Sequence, residues 1–120
     1  GYGSEQLAQS QFSNAVTRLP EHVDTDGGAF TDTAAILRNL DMVVTTDTAV
    51  AHLAGALGTA TRLLLGKVPD WRWLREGSQT LWYPSMQLVR QSQLGAWQEP
   101  IDQIATQLQE TRPRSSSRKV

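Results

Sequence analysis

Two stretches of the chain, residues 42–46 (Met-Val-Val-Thr-Thr) and 61–65 (Thr-Arg-Leu-Leu-Leu), are dominated by apolar and β-branched residues. Neither shows the alternation of a strand with one wet face, so both read as parallel strands covered by helices. Between them, residues 48–57 predict a small-residue helix that Gly58 can end in a left-handed conformation. Strand, helix and strand in that order give a right-handed crossover. Upstream, residues 4–12 predict a short helix and 15–19 a strand closed by Pro20, followed by an acidic, glycine-rich loop over 21–28. Thr31 or Asp32 caps a helix through Leu40, with Ala35, Ile36 and Leu40 on one face. Beyond a Trp-rich, Pro-punctuated loop over 68–84, Met86–Val89 predicts a last short strand. Residues 97–110 form a closing amphipathic helix with Ile101, Ile104, Ala105 and Leu108 on its stripe. The pattern predicts an α/β fold, a Rossmann-like parallel sheet with helices on both faces.

The first of these strands breaks at Asp47 straight into the helix, and such a junction is a ready anion site. The first amides of a helix have no intrahelical partner and the helix dipole adds partial positive charge, so main chain alone can hold a phosphate or diphosphate. Thr48 offers a hydroxyl and an N–H, and Ala49 a second N–H unhindered by a large side chain. His52 lies one turn inside, and because side chains tilt toward the helix N-terminus its ring can reach a group bound at the Asp47-Thr48 end. Gly55 costs about 1 kcal/mol relative to Ala inside a helix, which a close helix-to-sheet approach explains. Ala49, Ala51, Ala54 and Ala56 read as packing residues.

Composition narrows the function classes. At 120 residues the chain is one domain at most. Eleven basic and 12 acidic residues give a net charge of -1, so the body has no electrostatic footprint for nucleic acid. The absence of cysteine excludes disulfides, thiol chemistry and cysteine-ligated metal, and fits a cytoplasmic protein. No apolar run approaches the roughly 18 residues of a membrane span, and the N-terminus is not a signal peptide. A chain opening on Gly1 instead of Met reads as a piece of a longer protein. Residues 111–120, with Arg112, Arg114, Arg118 and Lys119 among serines, read as a disordered basic tail. Asp24, Asp26 and Gly27 start like a calcium loop, but position 35 is Ala where that loop needs Glu, so no metal is expected. Gly1-Tyr2-Gly3 lacks the third glycine of a dinucleotide fingerprint, and no cofactor is expected.

The loop between the second and third strands concentrates Trp71, Arg72, Trp73, Trp82 and Tyr83. These side chains either stack on a base or sugar or clamp the loop onto the core. Trp71 and Trp73, two apart, face different ways. Gly66 sits at the carboxyl end of the second strand, where open α/β sheets place their ligand crevice, and either admits a nucleotide or turns the chain. Lys67 either faces phosphate or is a surface lysine.

Residues 47–58, with Pro69-Asp70-Trp71-Arg72-Trp73-Leu74 and Trp82-Tyr83-Pro84-Ser85-Met86, resemble the C-terminal half of bacterial glycosyltransferases related to the heptosyltransferases, in the branch often fused to tetratricopeptide repeats. The likeness covers roughly residues 3–110. It implies the two-lobed GT-B fold, with this chain as a C-terminal, donor-binding lobe truncated at its N-terminus and lacking its acceptor lobe. The implied partner is a nucleotide-diphospho-sugar, whose departing diphosphate needs charge stabilisation that helix-end amides supply without a metal. A carboxylate would repel the diphosphate, so Asp47 is assigned to the donor sugar's hydroxyls or to the helix cap. Asp70 and Trp71 are the donor contacts expected from the loop. Where the family carries Pro-Phe or Gly-Pro after the second strand, this chain has Gly66-Lys67-Val68. The family's acidic group that activates the acceptor lies in the absent lobe, and no residue here serves as catalytic base. The competing expectations are a non-catalytic interaction module beside helical repeats and a sugar-nucleotide epimerase of the same fold.

Overall fold

The computed structural model describes residues 3–111, which fall into two compact units divided between Thr33 and Ala34. In the first, α1 spans Ser4–Gln9 and a 3-10 turn spans Ser13–Ala15. No residue from 3 to 33 is buried. The strand expected over 15–19 does not form: residues 16–20 are irregular, with Val16 and Leu19 exposed and no neighbouring strand to pair with.

Helix α2, Thr31–Arg38, crosses the division. Neither Thr31 nor Asp32 caps it alone. The Asp24 carboxylate accepts from the N–H groups of Asp32 (2.7 Å) and Thr33 (3.1 Å) and from the Thr33 hydroxyl, and the Asp32 carboxylate takes the Asp24 N–H at 2.8 Å. This reciprocal pair satisfies two of the orphan amides of the helix from eight residues upstream. The buried residue of α2 is Leu37, while Ala35 and Leu40 are exposed.

The second unit holds a parallel sheet in the order β1 (Val43–Thr46), β2 (Thr61–Leu65), β3 (Met86–Arg90). Register aligns Val43, Thr61 and Met86 in one row and Thr45, Leu63 and Leu88 in another on the same face. Onto that face packs α3 (Ala49–Ala56), where Ala51 and Trp73 join Leu63, Leu65, Met86 and Leu88 in one core cluster. A second cluster joins Leu37, Val43 and Ala54. The opposite face carries Val44, Arg62, Gln87, Thr46, Leu64 and Val89. There α4 (Gln98–Thr111) lies over β2 and β3, its Gln107 accepting from Arg62 Nε at 2.7 Å. Val44 stays half exposed. The architecture is therefore α/β, a small parallel sheet flanked by helices.

Two helix details depart from the sequence pattern. In α4 the inward residues are Pro100 and Ile104, while Ile101, Ala105 and Leu108 are exposed, so the helix is rolled relative to the expected stripe. Thr111, assigned to the tail, is the last residue of α4. Gly58 ends α3 as expected, at φ 74°, its N–H donating to Gly55 O and that of Thr59 to Ala54 O. The rest of the basic tail and Gly1-Tyr2 lie outside the described residues.

Candidate functional site

The carboxyl ends of the three strands deliver Asp47 and Thr48, Gly66 and Lys67, and Gln91 to one edge of the sheet. Thr48 is the N-cap residue of α3, with extended backbone and no side-chain hydrogen bond into the helix. Its hydroxyl lies instead 3.3 Å from that of Thr45. The first amides of α3, Ala49 foremost, thus receive no side-chain acceptor. Asp47 does not cap the helix either. Its Oδ2 accepts from the Trp73 indole N–H at 2.9 Å, and its Oδ1 lies 3.6 Å from His52 Nε2.

His52 reaches back toward the start of its own helix, as the tilt of helical side chains requires. Its Nδ1 sits 2.9 Å from the Tyr83 hydroxyl. The ring stacks on Trp73 at 5.3 Å between centroids, and Tyr83 meets it edge-on at 5.8 Å. Trp73 is buried, whereas the side chains of His52 and Asp47 remain 35% and 31% exposed. The cluster is therefore held from inside and open on one side.

Tyr83 also explains Gly55. A Cβ there would fall 2.4 Å from Tyr83 Cγ, so the glycine admits an aromatic ring, correcting the expected helix-to-sheet contact. By contrast, nothing forces glycine at position 66: its φ is not positive, and a Cβ would meet only Gln91 Oε1 at 3.8 Å.

The loop residues form a second group. Trp71 and Trp73 do face different ways: Trp71 is exposed, with the Arg72 guanidinium 5.8 Å above its ring. With Lys67, Pro69, Leu74 and Arg75, Trp71 lines an open groove of about 790 Å³. Asp70 is taken up locally, accepting from the Arg72 N–H at 3.0 Å and pairing with Arg72 Nε at 3.3 Å. The expected site residues thus divide: Asp47, Thr48, Ala49 and His52 share the β1–α3 junction, while Trp71 belongs to the groove and Gly66 precedes its Lys67.

Two residues that no motif singled out hold the loop. Arg90, at the end of β3, donates to the carbonyls of Gly77 (2.8 Å), Leu74 (2.9 Å), Glu76 (3.3 Å) and Trp73. Partial burial, which disfavours the charged form, lowers its pKa from the ordinary value. Gln91 is buried, its Oε1 accepting the Lys67 N–H at 3.2 Å. Neither has a local sequence signal, because each acts on backbone groups far away in the chain. Among the described residues no cluster of three or more His, Asp or Glu could hold a metal, and no helix is long and apolar enough to cross a membrane.

The chain is similar to Protein FlbA of Caulobacter vibrioides, at 33% identity over 92 residues, which make up 76% of this chain and 15% of that protein. No family model and no solved structure matches it.

Proposed function

We propose that this chain is the nucleotide-diphospho-sugar-binding lobe of a glycosyltransferase of heptosyltransferase type, the C-terminal lobe of a GT-B enzyme. The observation that carries the reading is the β1–α3 junction: helix amides with no side-chain cap, beside a half-open Asp47–His52 pair, at the carboxyl edge of a parallel sheet. In this reading the diphosphate lies against Thr48 and Ala49 with the His52 ring beside it, where fixed N–H dipoles stabilise charge as the glycosidic bond breaks. Asp47, whose other oxygen is tied to Trp73, faces the sugar hydroxyls. The groove beside Trp71 accepts the nucleoside, and transfer to an acceptor hydroxyl awaits a second lobe.

Titration of the chain with nucleoside diphosphates, beside His52→Ala, tests the reading. Saturable binding that the variant weakens supports it; absence of binding by the folded chain, or equal binding by both proteins, sinks it. The second reading, a non-catalytic interaction module, is favoured by the exposed apolar flank of α4 at Trp97, Ile101 and Leu108.

A further inference from the structure

We propose that Tyr83 is a positioning residue for His52, its hydroxyl holding the ring hydrogen on Nε2, the nitrogen that faces Asp47 and the ligand side of the junction. The inference rests on the donor-lobe reading for what that hydrogen meets, and on geometry alone for where the hydrogen sits. An indole N–H only donates and a carboxylate only accepts, so Trp73 fixes Asp47 as an acceptor at Oδ2. Its other oxygen, Oδ1, faces His52 Nε2, which favours a hydrogen on that nitrogen. A neutral imidazole then carries a lone pair on Nδ1, and the only group placed to answer it among the described residues is the Tyr83 hydroxyl at 2.9 Å. The polarity runs in one direction from each end: Trp73 to Asp47, and Tyr83 to His52.

The 3.6 Å between Nε2 and Oδ1 is longer than a formed hydrogen bond. The Nε2 hydrogen is thus oriented by its neighbours yet free to be given to a phosphate oxygen on the exposed side. Tyr83 is itself seated by the absence of a side chain at Gly55, and its ring packs against the core cluster. The tyrosine is therefore fixed before any ligand arrives, as preorganised donors require.

The test uses the ¹⁵N-labelled chain and Tyr83→Phe, which keeps the ring over Gly55 and removes only the hydroxyl. His52→Ala assigns the signals, since the chain has one other histidine, His22. At about pH 8.5, where an ordinary imidazole is neutral, the wild type is expected to show the hydrogen on Nε2 and a hydrogen-bonded Nδ1. Tyr83→Phe is expected to lose the Nδ1 shift and to bind UDP, ADP, GDP or CDP about fivefold to tenfold more weakly than wild type. Unchanged ring-nitrogen shifts in Tyr83→Phe, or a hydrogen on Nδ1 in wild type, overturn the proposal. Failure of the wild type to bind any of the four nucleotides overturns the donor-lobe reading instead, and the ring shifts still decide the role of Tyr83.

Discussion

A single methyl group added at Gly55 or at Gly66 separates packing from binding. In an ordinary helix interior Gly→Ala stabilises by up to about 1 kcal/mol. At Gly55 the added Cβ would overlap the Tyr83 ring at 2.4 Å, so Gly55→Ala is expected to reverse that sign and destabilise by about 1–3 kcal/mol. Urea denaturation followed by circular dichroism measures the sign, and a stabilised variant would show that the ring does not rest on the helix. Gly66→Ala meets only Gln91 Oε1 at ordinary contact distance and is expected to change the unfolding free energy by no more than about 0.5 kcal/mol. Weakened nucleoside-diphosphate binding by this stable variant would place ligand beside Gly66; unchanged binding would make it a turn residue. The aromatics Trp73 and Tyr83 are read from sequence as stacking platforms or clamps, and the structure makes them hydrogen-bond partners of Asp47 and His52. Their ring types are visible in the sequence, whereas pairings across 26 and 31 residues have no local signature.

Elements with strong local patterns were legible, and those fixed by distant groups were not. Strands 43–46 and 61–65 and the helix between them follow from apolar runs and a glycine stop, which act within a few residues. The cap of α2 has no local signature, because Asp24 lies eight residues upstream in an acidic, glycine-rich loop that resembles only the start of a calcium loop. The Thr33 hydroxyl, opposed in part by desolvation and aided by the backbone N–H groups of Thr33 and Asp32, holds the Asp24 carboxyl below its ordinary pKa. A folded pKa below the unfolded one means stability that is present above about pH 4 and is lost as the pH falls through the folded value. Asp24→Asn is therefore expected to remove part of the acid-induced loss of helicity below about pH 4; identical acid titrations of the two proteins by circular dichroism would contradict the cap. Arg90 makes the corresponding case for the loop between β2 and β3, which has no α-helix to hold it. Arg90→Met removes the donor shared by four carbonyls, three of them at exposed sites, and is expected to cost about 1–2 kcal/mol and to open the segment around 74–77 to protease. Arg90→Lys, which lacks the planar fork, should recover only part of this.

Among the described residues, buried apolar side chains begin at Leu37 and end at Ile104, so stability is concentrated in the second unit. Amides of residues 3–23 should exchange with solvent far faster than those of β2, whose alternate side chains are fully buried. Equal protection in the two regions, measured by hydrogen exchange, would contradict that division. The placement of α4 decides how far the core extends. Sequence periodicity puts Ile101, Ile104 and Leu108 on one buried stripe, but the fold turns Pro100 and Ile104 inward, where Gln107 also reaches Arg62, and leaves Ile101 and Leu108 on an outer flank beside Trp97. The two placements differ in energy by more than experimental error. A buried Ile→Ala change costs about 2–5 kcal/mol, whereas an exposed one falls within about 0.5 kcal/mol. Ile104→Ala is thus expected to lower the unfolding midpoint strongly and Ile101→Ala hardly at all. Replacing Ile101 and Leu108 together by Glu should leave the fold intact while reducing any concentration-dependent association seen by sedimentation, because an apolar flank without a partner promotes self-contact. Comparable losses for Ile101→Ala and Ile104→Ala would restore the stripe to the core and remove the exposed flank on which an interaction-module reading depends.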